Sequence, residues 1–226
     1  MTILVTGASG LVGARLLPRL VQAGLDCRAL ARPGSGVPAG VSIATGDLLD
    51  PASLASPVQG VSAVIHLAAV FRTTDADLIW KVNLDGTRNL IAAMKAHAPD
   101  ARLIMASTSH VYDADSARPG AEEDRCSPTL DYPASKLAAE TELRDSDLNC
   151  SIQRFGFVYG DGDGHIESLP RHLARAKLHP AQRMSMVHHR DIATAMMLAM
   201  DGALARRLGF QPVVRSVHQA AHEGLL

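Results

Sequence analysis

Met1-Thr2-Ile3-Leu4-Val5-Thr6-Gly7-Ala8-Ser9-Gly10-Leu11-Val12-Gly13 opens the chain. Ile3 to Val5 is a short apolar run suited to a buried strand. Leu11, Ala14, Leu17, Leu20 and Val21 then recur at helical spacing. Between strand and helix lie Gly7, Gly10 and Gly13, spaced GxxGxxG rather than GxGxxG. A turn of this kind is tight, lets backbone approach a pyrophosphate closely and aims a helix N-terminus at the anion. Glycines at such a junction also serve as plain turn residues. Their place directly after a strand and before a helix favours a dinucleotide-binding turn, with Gly7, Ser9, Gly10, Leu11, Val12 and Gly13 as candidate contacts.

Outward from this unit, apolar strands and amphipathic helices alternate. Strands are expected near 2–5, 26–31, 41–45, 62–67, 102–106 and 151–155, and helices near 11–23, 51–56, 76–97, 131–145, 168–176 and 189–199. Gly24 ends the first helix. Pro33-Gly34-Ser35-Gly36 and Asp161-Gly162-Asp163-Gly164 read as loops. The alternation predicts an α/β, doubly wound parallel sheet with helices on both faces. Strand order 3-2-1-4-5-6 would seat a cofactor over the carboxyl ends of the strands. Residues 1–155 are expected to form the dinucleotide-binding unit. Residues 156–226 are expected to form a partial substrate lobe, partly integrated with it.

Tyr132-Pro133-Ala134-Ser135-Lys136 carries the chemistry. Residues four apart on a helix share a face, so phenol and ammonium would be neighbours. A nearby ammonium favours the phenolate and is expected to lower the phenol pKa. Such a tyrosine can pass a proton to or from a carbonyl or alcohol. A bare Y-x-x-x-K is common, and its plain reading is an exposed helix start.

Together the two motifs resemble the extended, epimerase-like branch of the short-chain dehydrogenase/reductase superfamily, almost from end to end. Thr6-Gly7-Ala8-Ser9-Gly10-Leu11-Val12-Gly13 looks like its TGxxGxxG, and Gly46-Asp47-Leu48 like its adenine-contacting GDL. His66-Leu67-Ala68-Ala69 looks like HLAA, and Val82-Asn83-Leu84-Asp85-Gly86-Thr87 like the N-x-x-G-T helix. Ser107-Thr108-Ser109-His110-Val111-Tyr112 matches the SSxxVYG strand end. Arg154 through Gly160 is similar to RxxxVYG, and Val187-His188-His189-Arg190-Asp191 to VHVxD. The resemblance implies cofactor contacts at Asp47, Leu48, Leu67, Ala68, Ala69 and Phe155. It implies Tyr132 as general acid/base, Lys136 as the group that tunes it and holds the nicotinamide ribose, and Thr108 as donor to the substrate oxygen. Ser107 and Ser109 flank Thr108 and leave that assignment open by one position. Asn83 would support a water or a backbone kink near the lysine. The nicotinamide would lie between Ala68-Ala69 and the Phe155–Gly160 segment.

The end of the second strand decides the cofactor. NAD sites usually place a carboxylate there for the ribose hydroxyls. Cys27-Arg28-Ala29-Leu30-Ala31-Arg32 ends without one, and Asp26 comes too early. Arg32 is the candidate for a charge-assisted contact with a 2′-phosphate, which favours NADP with NAD as the alternative. Arg28 is in phase with Arg32 and either shares the role or faces solvent.

Composition narrows the partners. At 226 residues and 47% hydrophobic content, one domain with a sizeable core is the default. A net charge of −1 gives no footing for nucleic acid or an anionic membrane. No apolar run approaches a membrane span. Cys27, Cys126 and Cys150 are odd in number and far apart, which suits a reducing cytosol and no zinc site. The chain enters its first strand at once, so a cytoplasmic protein without a signal peptide is expected. Relatives often dimerise through paired helices, here those near 76–97 and 131–145. His188 and His189 are adjacent, and neighbours on one element point apart, so no metal is expected. Glu122-Glu123-Asp124 reads as a solvated loop that would discourage anionic substrates.

Met196-Met197-Leu198-Ala199-Met200 passes abruptly into a segment ending Leu208-Gly209-Phe210-Gln211-Pro212. In relatives a strand, loop and helix intervene. The expectation is a lobe with residues absent near 199–202. Three function classes stay open: an NADP-linked oxidoreductase on a small ketone, aldehyde or secondary alcohol, a sugar-nucleotide epimerase or dehydratase with tightly held NAD, and a non-catalytic NADP(H)-binding redox sensor. The second needs an acid after strand two and basic groups for a diphosphate. The third need not keep Tyr132 and Lys136.

Overall fold

A computed structural model describes residues 1–32, 34–112, 121–162 and 185–200. Its main sheet is parallel, in the order β3-β2-β1-β4-β5-β6. The strands are β1 (Thr2–Thr6), β2 (Asp26–Ala31), β3 (Ser42–Thr45), β4 (Ala63–His66), β5 (Arg102–Thr108) and β6 (Cys150–Phe155). β1 lies centrally, with Ile3 opposite Cys27 of β2 and Ala63 of β4. This is the expected strand order, and each strand falls within two or three residues of its expected place.

Period-two alternation along β1 builds both cores. Ile3 and Val5 face one side, where Leu16, Leu17 and Leu20 of α1 (Gly13–Gln22) meet Ile192, Ala193, Met196 and Met200 of α6 (His189–Met200). Leu4 faces the other side, with Val58 of α2 (Ala55–Val58), Leu90, Ile91 and Met94 of α4 (Gly86–His97), and Ala139 and Leu143 of α5 (Asp131–Arg144). Helix α6 therefore packs into the core of the sheet, although it lies in the second half of the proposed division.

The helix expected over 76–97 is interrupted. It runs as α3 (Ala76–Trp80), a π-helical turn (Lys81–Asp85) and then α4. Such turns insert an extra residue and recur at functional sites. The helix expected at 51–56 begins as a 3₁₀ turn, Pro51–Leu54, before α2. A short parallel pair, β7 (Phe157–Tyr159) with β8 (Met186–His188), was not expected. The helix expected at 168–176 and the segment from 201 onward lie outside the described residues, and with them the question of absent residues near 199–202.

Candidate active site

The cofactor turn requires its glycines. Gly7 has φ +69°, and a Cβ there would sit 2.7 Å from the Ala68 nitrogen. A Cβ on Gly13 would sit 2.4 Å from the Gly7 carbonyl oxygen. The turn is closed by Gly10 N–H donating to Gly7 O (3.1 Å) and Ala14 N–H to Gly10 O (3.0 Å). Val12 at the head of α1 supplies no side-chain cap, so an approaching anion meets backbone donors and the positive end of the helix. Ser9 and Gly10 are exposed, and Leu11 and Val12 half-buried. These residues fit a pyrophosphate.

The segment after β4 is held from two directions. Ala68 N–H donates to Thr6 Oγ1 (3.2 Å), and Val70 N–H donates to Asn83 Oδ1 (2.8 Å). Asn83 Nδ2 returns to Val70 O (2.9 Å) and also donates to Ser135 Oγ (3.0 Å). Ser135 Oγ donates to Tyr132 O (2.8 Å). Asn83, fully buried in the π turn, thus ties the Leu67–Val70 segment to the helix that carries Tyr132. Leu67 and Ala69 are half-buried in the same segment.

Tyr132 and Lys136 lie one turn apart on α5. Tyr132 is half-buried, its ring 5.5 Å from that of Phe71. Burial pushes the phenol up to about 12, the reverse of the depression expected from its lysine neighbour. The cause is loss of water around the ring, which penalises the phenolate. Lys136 is only 2% exposed, and burial pulls it down to about 8 against the opposing field of Glu140. Thr108 ends β5, where its Oγ1 accepts from His110 N–H (3.2 Å) and caps the 3₁₀ turn Ser109–Val111. Helix α5 packs on that turn and on β5, which brings Thr108 beside the tyrosine helix. Ser107 donates to Glu140 Oε1, and Thr108 Oγ1 also lies 3.0 Å from His110 Nδ1, so both hydroxyls have partners within the protein.

Glu140 has no motif role in the sequence reading, yet it anchors the helix. Its side chain is fully buried and accepts from Arg154 Nη2 (2.6 Å), Arg154 Nε (3.0 Å), Arg144 Nη2 (2.8 Å) and Ser107. Burial raises its pKa, but these donors outweigh that and hold it below the ordinary carboxylate value. Its position four residues after Lys136 was the available signal.

At the other end of the crevice, Asp47 Oδ1 accepts from Leu49 N–H (2.9 Å), while Leu48 is buried beside Leu30. Arg28 is half-buried, and its Nη1 donates to Pro57 O (2.7 Å) and Gln59 O (3.1 Å), capping the end of α2. Arg32 is exposed. Phe155 is buried in the same core cluster as Ala8.

The two adjacent histidines do not point apart. Their ring centroids are 4.2 Å apart, and with Asp161 their ligand atoms lie within 4.8 Å of one another. The chain changes from strand to helix between them, which cancels the alternation of a continuous element. Arg190 pairs with Asp161 (3.0 Å), Arg15 bonds the Asp161 carbonyl, and His188 Nδ1 accepts from Arg190 N–H (3.2 Å). Those guanidinium groups oppose a cation.

A parallel 3-2-1-4-5-6 sheet with a glycine turn and a tyrosine–lysine helix defines a Rossmann-type α/β protein. Residues 3–207 match the NAD dependent epimerase/dehydratase family, and the chain belongs to it. It is 32% identical to a ceramide reductase of Caulobacter vibrioides over 85% of this chain and 58% of that one. It is also 32% identical to a 2-alkyl-3-oxoalkanoate reductase of Shewanella oneidensis, over 77% of this chain and 48% of that protein. The chain thus spans about half the length of these curated relatives. Among solved structures, MoeE5 in complex with UDP-glucuronic acid and NAD superposes with a TM-score of 0.73, at 28% identity, covering 88% of this chain and 72% of that one. Among the described residues, no helix is long and apolar enough to cross a membrane.

Proposed function

We propose that this protein is an NADP-dependent carbonyl reductase acting on a small organic substrate with an apolar substituent. The observation that carries this reading is the half-buried Tyr132 followed, one turn later on α5, by the buried Lys136. A tyrosine phenol is protonated at neutral pH and can serve as general acid to a carbonyl oxygen, although the burial that pushes it up to about 12 makes it the weaker acid.

In this reading Gly7, Ser9, Gly10, Leu11, Val12 and Gly13 hold the pyrophosphate, and Asp47 and Leu48 the adenine. Leu67, Ala68, Ala69 and the Phe155 segment flank the nicotinamide. The bound cofactor supplies a hydride. Tyr132 gives its proton to the substrate oxygen, and Thr108 donates a hydrogen bond to the same oxygen. Lys136, an ammonium below about pH 8, holds the ribose hydroxyls and favours the phenolate left behind. Asn83 keeps the Val70 backbone in place. Exposed Phe71 (50%) lies against Tyr132, and exposed Leu130 (69%) stands at the head of the same helix; both suit an apolar substituent, in keeping with the names of the two reductase relatives.

NADP is favoured because β2 ends without an acid and Arg28 is engaged in the fold, which leaves Arg32 for a 2′-phosphate. NAD held by a sugar-nucleotide epimerase is the second reading, favoured by the NAD and UDP-glucuronic acid of MoeE5. Residues 1–155 with α6 would form the cofactor-binding unit, and the remainder of 156–226 the substrate lobe. The assembly would be a cytoplasmic homodimer through α4 and α5, checked by light scattering. Fluorescence titration with NADPH and NADH, followed by a carbonyl panel, tests the whole. Tighter binding of NADH, or turnover confined to UDP-sugars, would overturn it.

A further inference from the structure

Between β1 and the π turn runs an unbroken chain of polar groups whose two ends fix its direction. Ala68 N–H can only donate, and it donates to Thr6 Oγ1 (3.2 Å). Thr6 Oγ1 lies 2.7 Å from His66 Nδ1, and His66 Nε2 lies 3.0 Å from Thr87 Oγ1. Thr87 Oγ1 donates to Asn83 O at 2.6 Å, a carbonyl that can only accept. Thr87 has one proton, and it goes to Asn83. Its oxygen therefore accepts from His66 Nε2–H. The neutral ring is then an acceptor at Nδ1, where the Thr6 hydroxyl proton goes. A single tautomer satisfies every member of the chain.

The three side chains at its centre are shut off from water. Thr6 and His66 are 1% exposed and Thr87 is fully buried. Burial, with the Lys136 charge added, holds the ring neutral, its pKa near 3. At the far end Asn83 continues through its carboxamide to Ser135, and Ser135 to the Tyr132 carbonyl. At the near end Thr6 precedes Gly7 of the cofactor turn. The chain thus links the place where a pyrophosphate would sit to the helix that carries the proton donor.

We propose that His66 is a positioning residue: as the neutral Nε2–H tautomer held between Thr6 and Thr87, it registers the cofactor turn against the Tyr132–Lys136 helix. This rests on the oxidoreductase reading above. An apolar ring would fill the same space and leave both threonine hydroxyls without their imidazole partner.

The test uses the full chain as His66→Phe, Thr87→Val, Thr87→Ser and the double variant His66→Phe/Thr87→Val. NADPH binding is followed by fluorescence, and turnover with ethyl acetoacetate and phenanthrenequinone as probes. Activity is normalised to NADPH-binding sites, so lost protein does not count. His66→Phe and Thr87→Val should each lose about tenfold or more in kcat, with NADPH affinity kept within about threefold. Thr87→Ser should recover most of what Thr87→Val loses, and the double variant should be no worse than the poorer single one. If His66→Phe does not fold, the Thr87→Val and Thr87→Ser pair carries the comparison. ¹⁵N NMR of the wild type should show neutral Nε2–H imidazole from about pH 5 to about pH 8. Wild-type kcat per site in His66→Phe or Thr87→Val, or an Nδ1–H ring, would overturn the proposal. Should the wild type bind no dinucleotide or reduce neither probe, the reductase reading fails, and the tautomer alone decides whether this chain exists.

Discussion

Arg154 reaches across from β6 to grip Glu140 on α5, Nη2 to Oε2 at 2.6 Å and Nε to Oε1 at 3.0 Å, with the carboxylate fully buried. The same guanidinium lies 4.7 Å over the Tyr112 ring. Strand β6, the Tyr132 helix and the loop after β5 are thereby joined through one carboxylate. Glu140→Gln removes the charge and leaves a largely buried arginine without its counter-ion, so we expect a loss of about 2–4 kcal/mol in stability by urea unfolding.

Tyr132→Phe removes the proton donor without changing the ring. The chemical step should fall by roughly 10²-fold to 10⁴-fold, and NADPH affinity should stay within a few-fold. Steady-state kinetics with fluorescence titration check both. Unchanged turnover would sink the mechanism.

Lys136 titrates near 8 in the folded protein, below its ordinary 10.5. Two consequences have opposite signs. Cofactor affinity and kcat should fall as pH rises through about 8, because the ammonium is lost. The burial penalty is in full force below about 8, and it fades as pH rises towards the unfolded value of 10.5. Lys136→Met should therefore raise the melting temperature at pH near 7 while abolishing activity. Thermal melts over the same pH range as the kinetics test the pair.

Arg32→Asp places a carboxylate where NAD-binding proteins use one. NADPH binding should weaken by about tenfold to a hundredfold, while NADH binding holds or improves. An equal loss for both cofactors would show that Arg32 does not read the 2′-phosphate.

Gly13→Ala drives a methyl group to 2.4 Å from the Gly7 carbonyl oxygen, a backbone atom that cannot step aside alone. The turn must open. NADPH binding should be lost together with a fall in melting temperature, measured by the same titration and by thermal melts.

The strand order was legible because Ile3-Leu4-Val5 and its counterparts are short apolar runs between helical patterns, and both cores draw on β1 alternation. The π turn was not. Its flanks carry one continuous helical pattern, and the insertion is fixed by Asn83 reaching Val70, a contact that spacing alone does not reveal. The contacts of Arg28 were hidden for the same kind of reason: its acceptors are the Pro57 and Gln59 carbonyls on a separate segment. The placing of Tyr132 and Lys136 on one helix could be read from spacing, whereas the sign of the phenol shift depended on burial, which no local pattern reports.

Helix α6 shares its apolar layer with α1. A chain emerging from the ribosome therefore makes the nucleotide turn almost at once but carries one bare greasy side until Met200 has left the exit tunnel. Synthesis stalled before His189 would leave Leu16, Leu17 and Leu20 open to chaperones or to sticking, so proteins of this architecture pay for an early binding loop with late completion.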